Sequence, residues 1–373
     1  MRTILIDQIA KVNYKYSYSL TNSLSKENVD VTLIIDQKRE EENCSCRKIN
    51  LFNTDEKKVG KLNKLFNYIS SMQRIIKILD EEKYDVVHTQ WVIFAPLDYW
   101  YLKQIKKRCN KLVITIHDIL PFNEKFYDRY YHNKIYGLAD EIIVQTDANV
   151  GRFADIFPEY KDKVHMIPHG HFLDYVEVCD SEKAKQYLGI PKDKFVFLFF
   201  GQIKKVKGVG VLLEAFAHVL KTRKDVYLII AGNVWKDDFG EYQAIIDKYQ
   251  MKDFIRTDIK YIPDEEVKYY YAASDICVLP YLDLYQSGVV QLVYGYQKSA
   301  IASDLEAFSE IVLEGETGYA FPKGDAKALS YKMLQSIDEK DTLQEKGMSG
   351  YQLIKEKYSW DDIASKILKV YQK

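Results

Sequence analysis

The 373-residue chain carries 53 Lys and Arg against 54 Asp and Glu, a formal net charge of −1, and 47% of its residues are hydrophobic. That length exceeds one ordinary core and suits two domains. The charge balance excludes a general nucleic-acid binder, which would carry a broad basic excess. The cysteines (Cys44, Cys46, Cys109, Cys179, Cys277) make no CxxC pair and no even framework. They predict free thiols in a reducing cytoplasm and no metal site. No signal-peptide pattern precedes Ile4, and no apolar run approaches the length of a membrane span.

Thr3–Asp7 (TILID) reads as a short buried strand, SYSLTNSLSKEN as a helix, and VDVTLIID as a second strand. This is a βαβ opening and implies a parallel sheet. The connecting loop QIAKVNYKYS lacks glycine and is no dinucleotide fingerprint. The mixed polar segment Gln37–Asn53 reads as an excursion. A helix over Lys57–Glu82 follows, with Leu62, Leu65, Phe66, Ile69, Met72, Ile76 and Leu79 at helical spacing, which predicts a core-facing stripe. Lys57, Lys58, Lys61, Lys64, Arg74 and Lys77 run through it with no acid between, and a second basic run covers Lys103–Lys111. Such runs are either solvated faces or the footprint of an anionic membrane surface.

The strands DVVHTQ and KLVITIHD end in His88-Thr89-Gln90-Trp91 and His117-Asp118. Those side chains therefore fall at one sheet edge, where the sites of α/β proteins lie. EIIVQT and VHMIPHG close the first domain, and Phe172–Glu182 reads as a linker. The second domain alternates regularly: FVFLFFG, VYLIIAG, IKYI, ICVLPY and SAIASD are strands with helices between. In it the apolar run Phe195–Phe200 stops at Gly201, a loop with three lysines follows, and Gly208 opens the helical segment VGVLLEAFAHVL. A strand feeding a helix through a basic glycine loop is an anion-binding layout. ICVLPY, its loop, and Ser287-Gly288-Val289 at a helix start repeat it.

FFGQIKKVKG, YIPDEEVKYYYAASDICVLPY and QSGVVQLVYGYQKSAIASDLEAFSEIVLEGETGYAF resemble the donor half of glycosyltransferase family 4, continuously from about Phe195 to Trp360 and more weakly before it. The resemblance implies the GT-B architecture: two facing Rossmann-like, doubly wound α/β domains, with a C-terminal helix crossing back to the first. The expected divisions are 1–176 for an acceptor domain, 177–358 for a nucleotide-sugar donor domain, and 359–373 for the crossing helix. It also implies transfer of a sugar from a nucleotide-diphosphate donor with retention of configuration.

Under that resemblance Lys207 is the phosphate lysine of the glycine-strand loop. Gln202 stands where the family usually has arginine after Gly201, which leaves Lys204 as the second cation, a point charge rather than a bidentate fork. Leu284 and Leu292 occupy the places of two family glutamates, one of which holds the donor ribose. Gln286-Ser287-Gly288-Val289 instead matches a subset carrying QSGV, and Glu310 becomes the candidate for the ribose. Ile262, in Tyr261-Ile262-Pro263, falls where backbone groups cup the base. His117 matches a histidine beside the donor sugar, while Asp118 either fixes its tautomer or caps the next helix. Asn13, Tyr14 and Tyr16 replace the glycine-rich acceptor loop, and His88, Gln90 and Trp91 join them from the strand edge. His169-Gly170 reads as a turn. His132, His165, His171 and His218 lack metal-ligand spacing.

Breaking a sugar–diphosphate bond develops negative charge on the leaving phosphates, which needs a fixed positive field. No Asp-x-Asp pair sits at a strand end, so lysines and helix N–H groups must supply it. The expected protein is a metal-independent glycosyltransferase without cofactor, acting on a glycan or lipid-linked saccharide in bacterial surface polysaccharide synthesis. It would be cytoplasmic, or peripheral on an anionic membrane face. The alternatives are a GT-B nucleotide-sugar epimerase or hydrolase, and a catalytically silent homologue acting as a scaffold subunit.

Overall fold

A computed structural model of the chain describes residues 1–36, 44–52, 61–121, 123–235, 238–284 and 288–373, with the backbone alone for residues 10–13 and 61. The chain forms two compact units, Met1–Gly170 with Tyr358–Lys373, and His171–Lys357. In the first, the strands are β1 (Arg2–Ile6), β2 (Asp30–Asp36), β3 (Arg47–Phe52), β4 (Tyr84–Thr89), β5 (Cys109–Thr115), β6 (Glu141–Val144) and β7 (Val164–Met166). Its helices are α1 (Ala10–Lys26), α2 (Lys61–Glu81), α3 (Ala95–Lys106), α4 (Asp128–Leu138) and α5 (Asp147–Ile156).

The second unit begins with α6 (Ser181–Leu188). The strands that follow are β8 (Phe195–Phe200), β9 (Val226–Ala231), β10 (Ile255–Asp258), β11 (Ile276–Leu279), β12 (Ser299–Ser303) and β13 (Gly318–Phe321). Between and after them lie α7 (Val209–Val219), α8 (Gly240–Lys248), α9 (Asp264–Ala273), α10 (Gly288–Gly295), α11 (Glu306–Ser309), α12 (Ala326–Asp338) and α13 (Leu343–Lys357). The last helix, α14 (Trp360–Gln372), belongs to the first unit.

The two sheets are wound alike. Their orders are β3-β2-β1-β4-β5-β6-β7 and β10-β9-β8-β11-β12-β13, and adjacent strands pair in parallel, as β1 does with β2 and β8 with β9. Helices on both faces explain why strands such as Val196–Phe199 are buried along their length. In each sheet the chain reverses its winding direction beside the first strand, between β1 and β4 and between β8 and β11. In open parallel sheets such a reversal is where ligand crevices form, at the carboxyl ends of the strands.

Four sequence expectations change. The helix after β1 starts at Ala10, so Tyr14 and Tyr16 lie on α1 rather than on a loop. Residues 14 to 24 of α1 are buried on most sides. The reason is α14, which lays Trp360, Ile363, Ala364, Ile367, Val370 and Tyr371 against Tyr14, Tyr18, Leu20 and Leu24 in one core. Of the α2 stripe, Met72 and Leu79 are core, but Leu62 and Phe66 are 71% and 68% exposed. The described contacts that anchor α2 begin one turn later, where Tyr68 donates to Asp98 and Tyr101 to the Ile69 carbonyl. Cys44 and Cys46 form a disulfide, with Cα atoms 5.3 Å apart; a bend over residues 45–46 brings them within bonding reach.

The stretch read as a linker is docked instead. The chain enters the second unit at His171, and Phe172, Leu173 and Val176 pack on Gly288 and Gly295 of α10. A side chain at Gly295 would run into Val176 at 2.8 Å.

Candidate active site

In the first unit the crevice is lined by residues that follow or end the central strands. His117 lies two residues beyond β5 and is buried. Trp91 stacks on its ring at 4.2 Å and 17°, and Tyr16 meets it edge-on at 5.4 Å. Burial disfavours the imidazolium and pushes the His117 pKa down to about 3, helped by His169 and His88 nearby. The ring is therefore neutral at physiological pH.

A chain of hydrogen bonds reaches it from β1. Asp7, immediately after that strand, accepts from the Ser17 hydroxyl at 2.6 Å and from the Ile9 N–H at 3.1 Å. Gln90 Nε2 donates to Ser17 Oγ at 2.9 Å, and its Oε1 stands 3.3 Å from His117 Nε2. Asp7 is wholly buried, and the cost of burying its charge raises its carboxyl to about 6. Gln145, just past β6, stands beside Tyr16 and His117. Neither polar atom of its buried amide has a hydrogen-bond partner among the described residues.

The other first-unit candidates separate. His88 is fully buried, with its ring nitrogens 2.7 Å from the Tyr371 hydroxyl and 2.7 Å from Thr115 Oγ1. One ring nitrogen holds Tyr371 of α14 and the other Thr115 of the neighbouring strand β5, so His88 is a packing residue and not a ligand-facing one. Tyr14 sits in the core with its ring edge-on to Tyr18 at 6.2 Å, so it too is withdrawn from the crevice. Asn13 has no described side chain. Asp118 is exposed. The next helix starts only at Asp128, so Asp118 does not cap it. His169, with its pKa lowered by burial to about 4, bonds the Gly170 carbonyl at 2.6 Å. A Cβ at Gly170 would collide with the Trp360 indole, so the turn is held under α14.

In the second unit Gly201 follows β8 with φ +129, and Gly208 precedes α7 with φ +66. The left-handed φ favours glycine at position 208, and a Cβ there would collide with the Pro280 carbonyl after β11. Leu282 N–H donates to the Val206 carbonyl at 2.8 Å. The loops after β8 and β11 therefore form one cradle. Lys204 and Lys207, both half-buried, flank it. Lys207 Nζ lies 3.6 Å over the Tyr281 ring, which carries the cation without neutralising it. Val289, in the first turn of α10, reaches Gly201: a Cβ there would lie 3.5 Å from it. The N-termini of α7 and α10 thus converge on this cradle, where helix N–H groups favour an anion.

Gln202 is half-buried beside Gly201, and Ile262 is buried in the loop before α9. Glu310, at the C-terminus of α11, is bonded by Lys357 Nζ at 2.9 Å. Gln286 and Ser287 lie outside the described residues. Asp7, Ser17 and Gln145 were missed from sequence. Asp7 and Gln145 follow their strands just as His117 does, so the strand-end rule that found His117 could have found them.

Residues 180–353 match the family described as glycosyl transferases group 1, and residues 15–174 match glycosyltransferase family 4. The chain belongs to glycosyltransferase family 4. A lipopolysaccharide 1,2-N-acetylglucosaminetransferase of Salmonella typhimurium is 24% identical over 79% of this chain and 75% of its own length. Against two other curated relatives the chain spans about half of the relative's length, 48% and 52%. Among solved structures, a sucrose-phosphate synthase from Thermosynechococcus elongatus superposes with a TM-score of 0.80 at 18% identity, covering 100% and 98% of the two chains. Anabaena Alr3699/HepE in complex with UDP-glucose does so with a TM-score of 0.76 at 16% identity, covering 100% and 99%. These likenesses give the fold as GT-B. The second unit's cradle carries the positive charge that a diphosphate group would meet.

Among the described residues no three His, Cys, Asp or Glu side chains gather as metal ligands. No described helix is long and apolar enough to cross a membrane.

Proposed function

We propose that the protein is a retaining, metal-independent glycosyltransferase that moves a sugar from a nucleotide-diphosphate donor to a glycan or lipid-linked saccharide in surface polysaccharide synthesis. One observation carries the reading: two half-buried lysines and two helix N-termini meet at the glycine-tight cradle after β8 and β11. They would supply a positive field for a leaving diphosphate without a metal ion. His117 positions the donor sugar or the incoming hydroxyl, while a diphosphate oxygen takes the acceptor proton on the face that the leaving group vacates. The Salmonella relative's name, a lipopolysaccharide transferase, supports a surface glycan as acceptor.

Peripheral attachment to an anionic membrane belongs to the same proposal. Leu62, Phe66, Phe94, Trp100, Phe126 and Tyr130 are exposed on the first unit, interspersed with Lys64, Lys103, Lys125 and Lys134. Exposed apolar and aromatic side chains with lysines between them along the chain suit a headgroup layer, at about 1 kcal/mol per basic residue near the surface. Co-sedimentation with phosphatidylserine vesicles should exceed that with phosphatidylcholine and fall in high salt. Equal binding to both lipids would reject the membrane role.

A panel of nucleotide sugars, screened first by thermal shift and then by turnover with and without EDTA, tests the reaction. Transfer that survives chelation is expected. A strict need for added metal would overturn the mechanism, and donor conversion without acceptor would point to an epimerase or hydrolase.

A further inference from the structure

We propose that Asp7, acting through Ser17 and Gln90, sets which ring nitrogen of His117 carries the proton, which makes Asp7 a positioning residue for the hydroxyl that His117 meets. This rests on the reading of His117 given above. The direction of the chain follows from donor and acceptor inventory. An ionised carboxylate only accepts, so Ser17 must donate to Asp7 and can only accept from Gln90. The Gln90 amide nitrogen is thereby turned to Ser17 and its oxygen to His117, whose Nε2 must carry hydrogen. The neutral ring then has its lone pair on Nδ1, which accepts from a hydroxyl rather than donating to an oxygen.

Protonation of Asp7 reverses every member. Its new O–H donates to Ser17 Oγ, and the Ser17 hydrogen turns to Gln90. The amide flips so that Oε1 accepts from Ser17 and Nε2 donates to His117 Nε2. His117 gives up its Nε2 proton to solvent and takes one at Nδ1, so the net uptake is one proton, at Asp7. The groups facing Asp7 are Asp36 from the end of β2, Ser17 and Tyr16 from α1, and Trp91 after β4, whose indole N–H points to it without a well-formed hydrogen bond. Those facing His117 are His88, His169, Tyr16, Trp91 and Gln145. Burial, with a smaller push from the Asp36 charge, raises the Asp7 carboxyl and puts the switch in a range that cells reach, near 6.

Nitrogen-15 labelling of the seven histidines in the full chain reads the tautomer directly, with His117→Ala identifying the resonance. In wild type at pH 8 His117 should carry its proton on Nε2, and it should move to Nδ1 with a midpoint near 6. Asp7→Asn should show the Nδ1 form already at pH 8. There the new amide oxygen keeps the Ile9 N–H, and its nitrogen donates to Ser17. Ser17→Ala, a smaller change that carries the test alone should Asp7→Asn fail to fold, should abolish the switch. A wild type that keeps one tautomer from pH 8 to pH 5 overturns the proposal. So does an Asp7→Asn protein that matches wild type at pH 8. Failure of the underlying reading would look different: His117→Ala would turn over donor at the wild-type rate whatever the tautomer does.

Discussion

The two units share one strand order yet build opposite sites at the same topological position. Beside β1 the first unit buries neutral and titrating groups, Asp7, His117 and His169, among aromatic rings. Beside β8 the second leaves two lysines half-exposed over small residues and helix ends. The fold dictates where a crevice opens, and the residues just past the strands decide what it can hold. A desolvated site of neutral histidines and aromatic rings suits hydroxyls, which hydrogen bonds discriminate by direction. A basic, glycine-lined one suits phosphates, which need charge and close backbone approach.

Paired substitutions are the strongest way to break that contrast. Lys207→Ala should cost about 2–4 kcal/mol of transition-state stabilisation, with Lys204→Ala close behind. Both should also weaken binding of a nucleoside diphosphate, for which UDP serves as the calorimetric probe. His117→Ala should lower transfer by roughly a hundredfold while UDP affinity stays within about twofold, because positioning is lost and not anchoring. If His117→Ala abolishes UDP binding, or the lysine variants leave it intact, the division of labour is wrong.

These two sites were unequally legible. The second unit's site is local in sequence: Gly201, Lys204, Lys207 and Gly208 sit in one loop, and strand, glycine and helix punctuate each other. The first unit's site assembles across the chain. Ser17 reaches Gln90 over 73 positions, and His88 is claimed by Tyr371 over 283. Periodicity can place a histidine at a strand end, but not say which of two such histidines is capped by a distant helix. The exposure of Leu62 and Phe66 was hidden for a related reason. Helical spacing marks a face, and only the neighbours of that face decide whether it is covered.

Acid should separate the units by a few kcal/mol. His88, His117 and His169, all in the first unit, have folded pKa values near 3, 3 and 4, below the unfolded 6.5. Between those limits the unfolded chain binds more protons, so their stability contribution is lost as pH falls below 6.5. Asp7 and Asp98, raised to about 6, oppose this, because below 6 the folded state binds the extra proton. These three, with His132 lowered in the same direction by burial, outweigh the two carboxyls and leave a net loss on the order of 2–4 kcal/mol for the first unit from pH 7 to 5. The second unit holds only His171 and His218. Trp91, Trp100 and Trp360 all lie in the first unit, so fluorescence of a Trp235→Phe protein follows its unfolding in urea. A midpoint unchanged between pH 7 and 5 would show that burial of these histidines is overstated.

The smallest effect sharpens the second unit alone. Glu310 is the candidate left for the donor ribose once Leu284 and Leu292 stand where the family has glutamates, yet its Oε2 already accepts from Lys357 at 2.9 Å. A carboxylate so engaged keeps its other oxygen for a ribose hydroxyl, and glutamine retains one acceptor there. Glu310→Gln should therefore cost only about 1 kcal/mol, roughly fivefold in UDP affinity. Pyrophosphate, which has no ribose, should bind the variant and the wild type equally. The pair itself is partly exposed, with side chains 44% and 37% accessible, so breaking it should leave stability within about 1 kcal/mol. Equal losses for UDP and pyrophosphate would mean that the substitution disturbs the cradle by freeing Lys357. No loss for either would leave Glu310 as a helix-end ion pair with no part in holding the ribose.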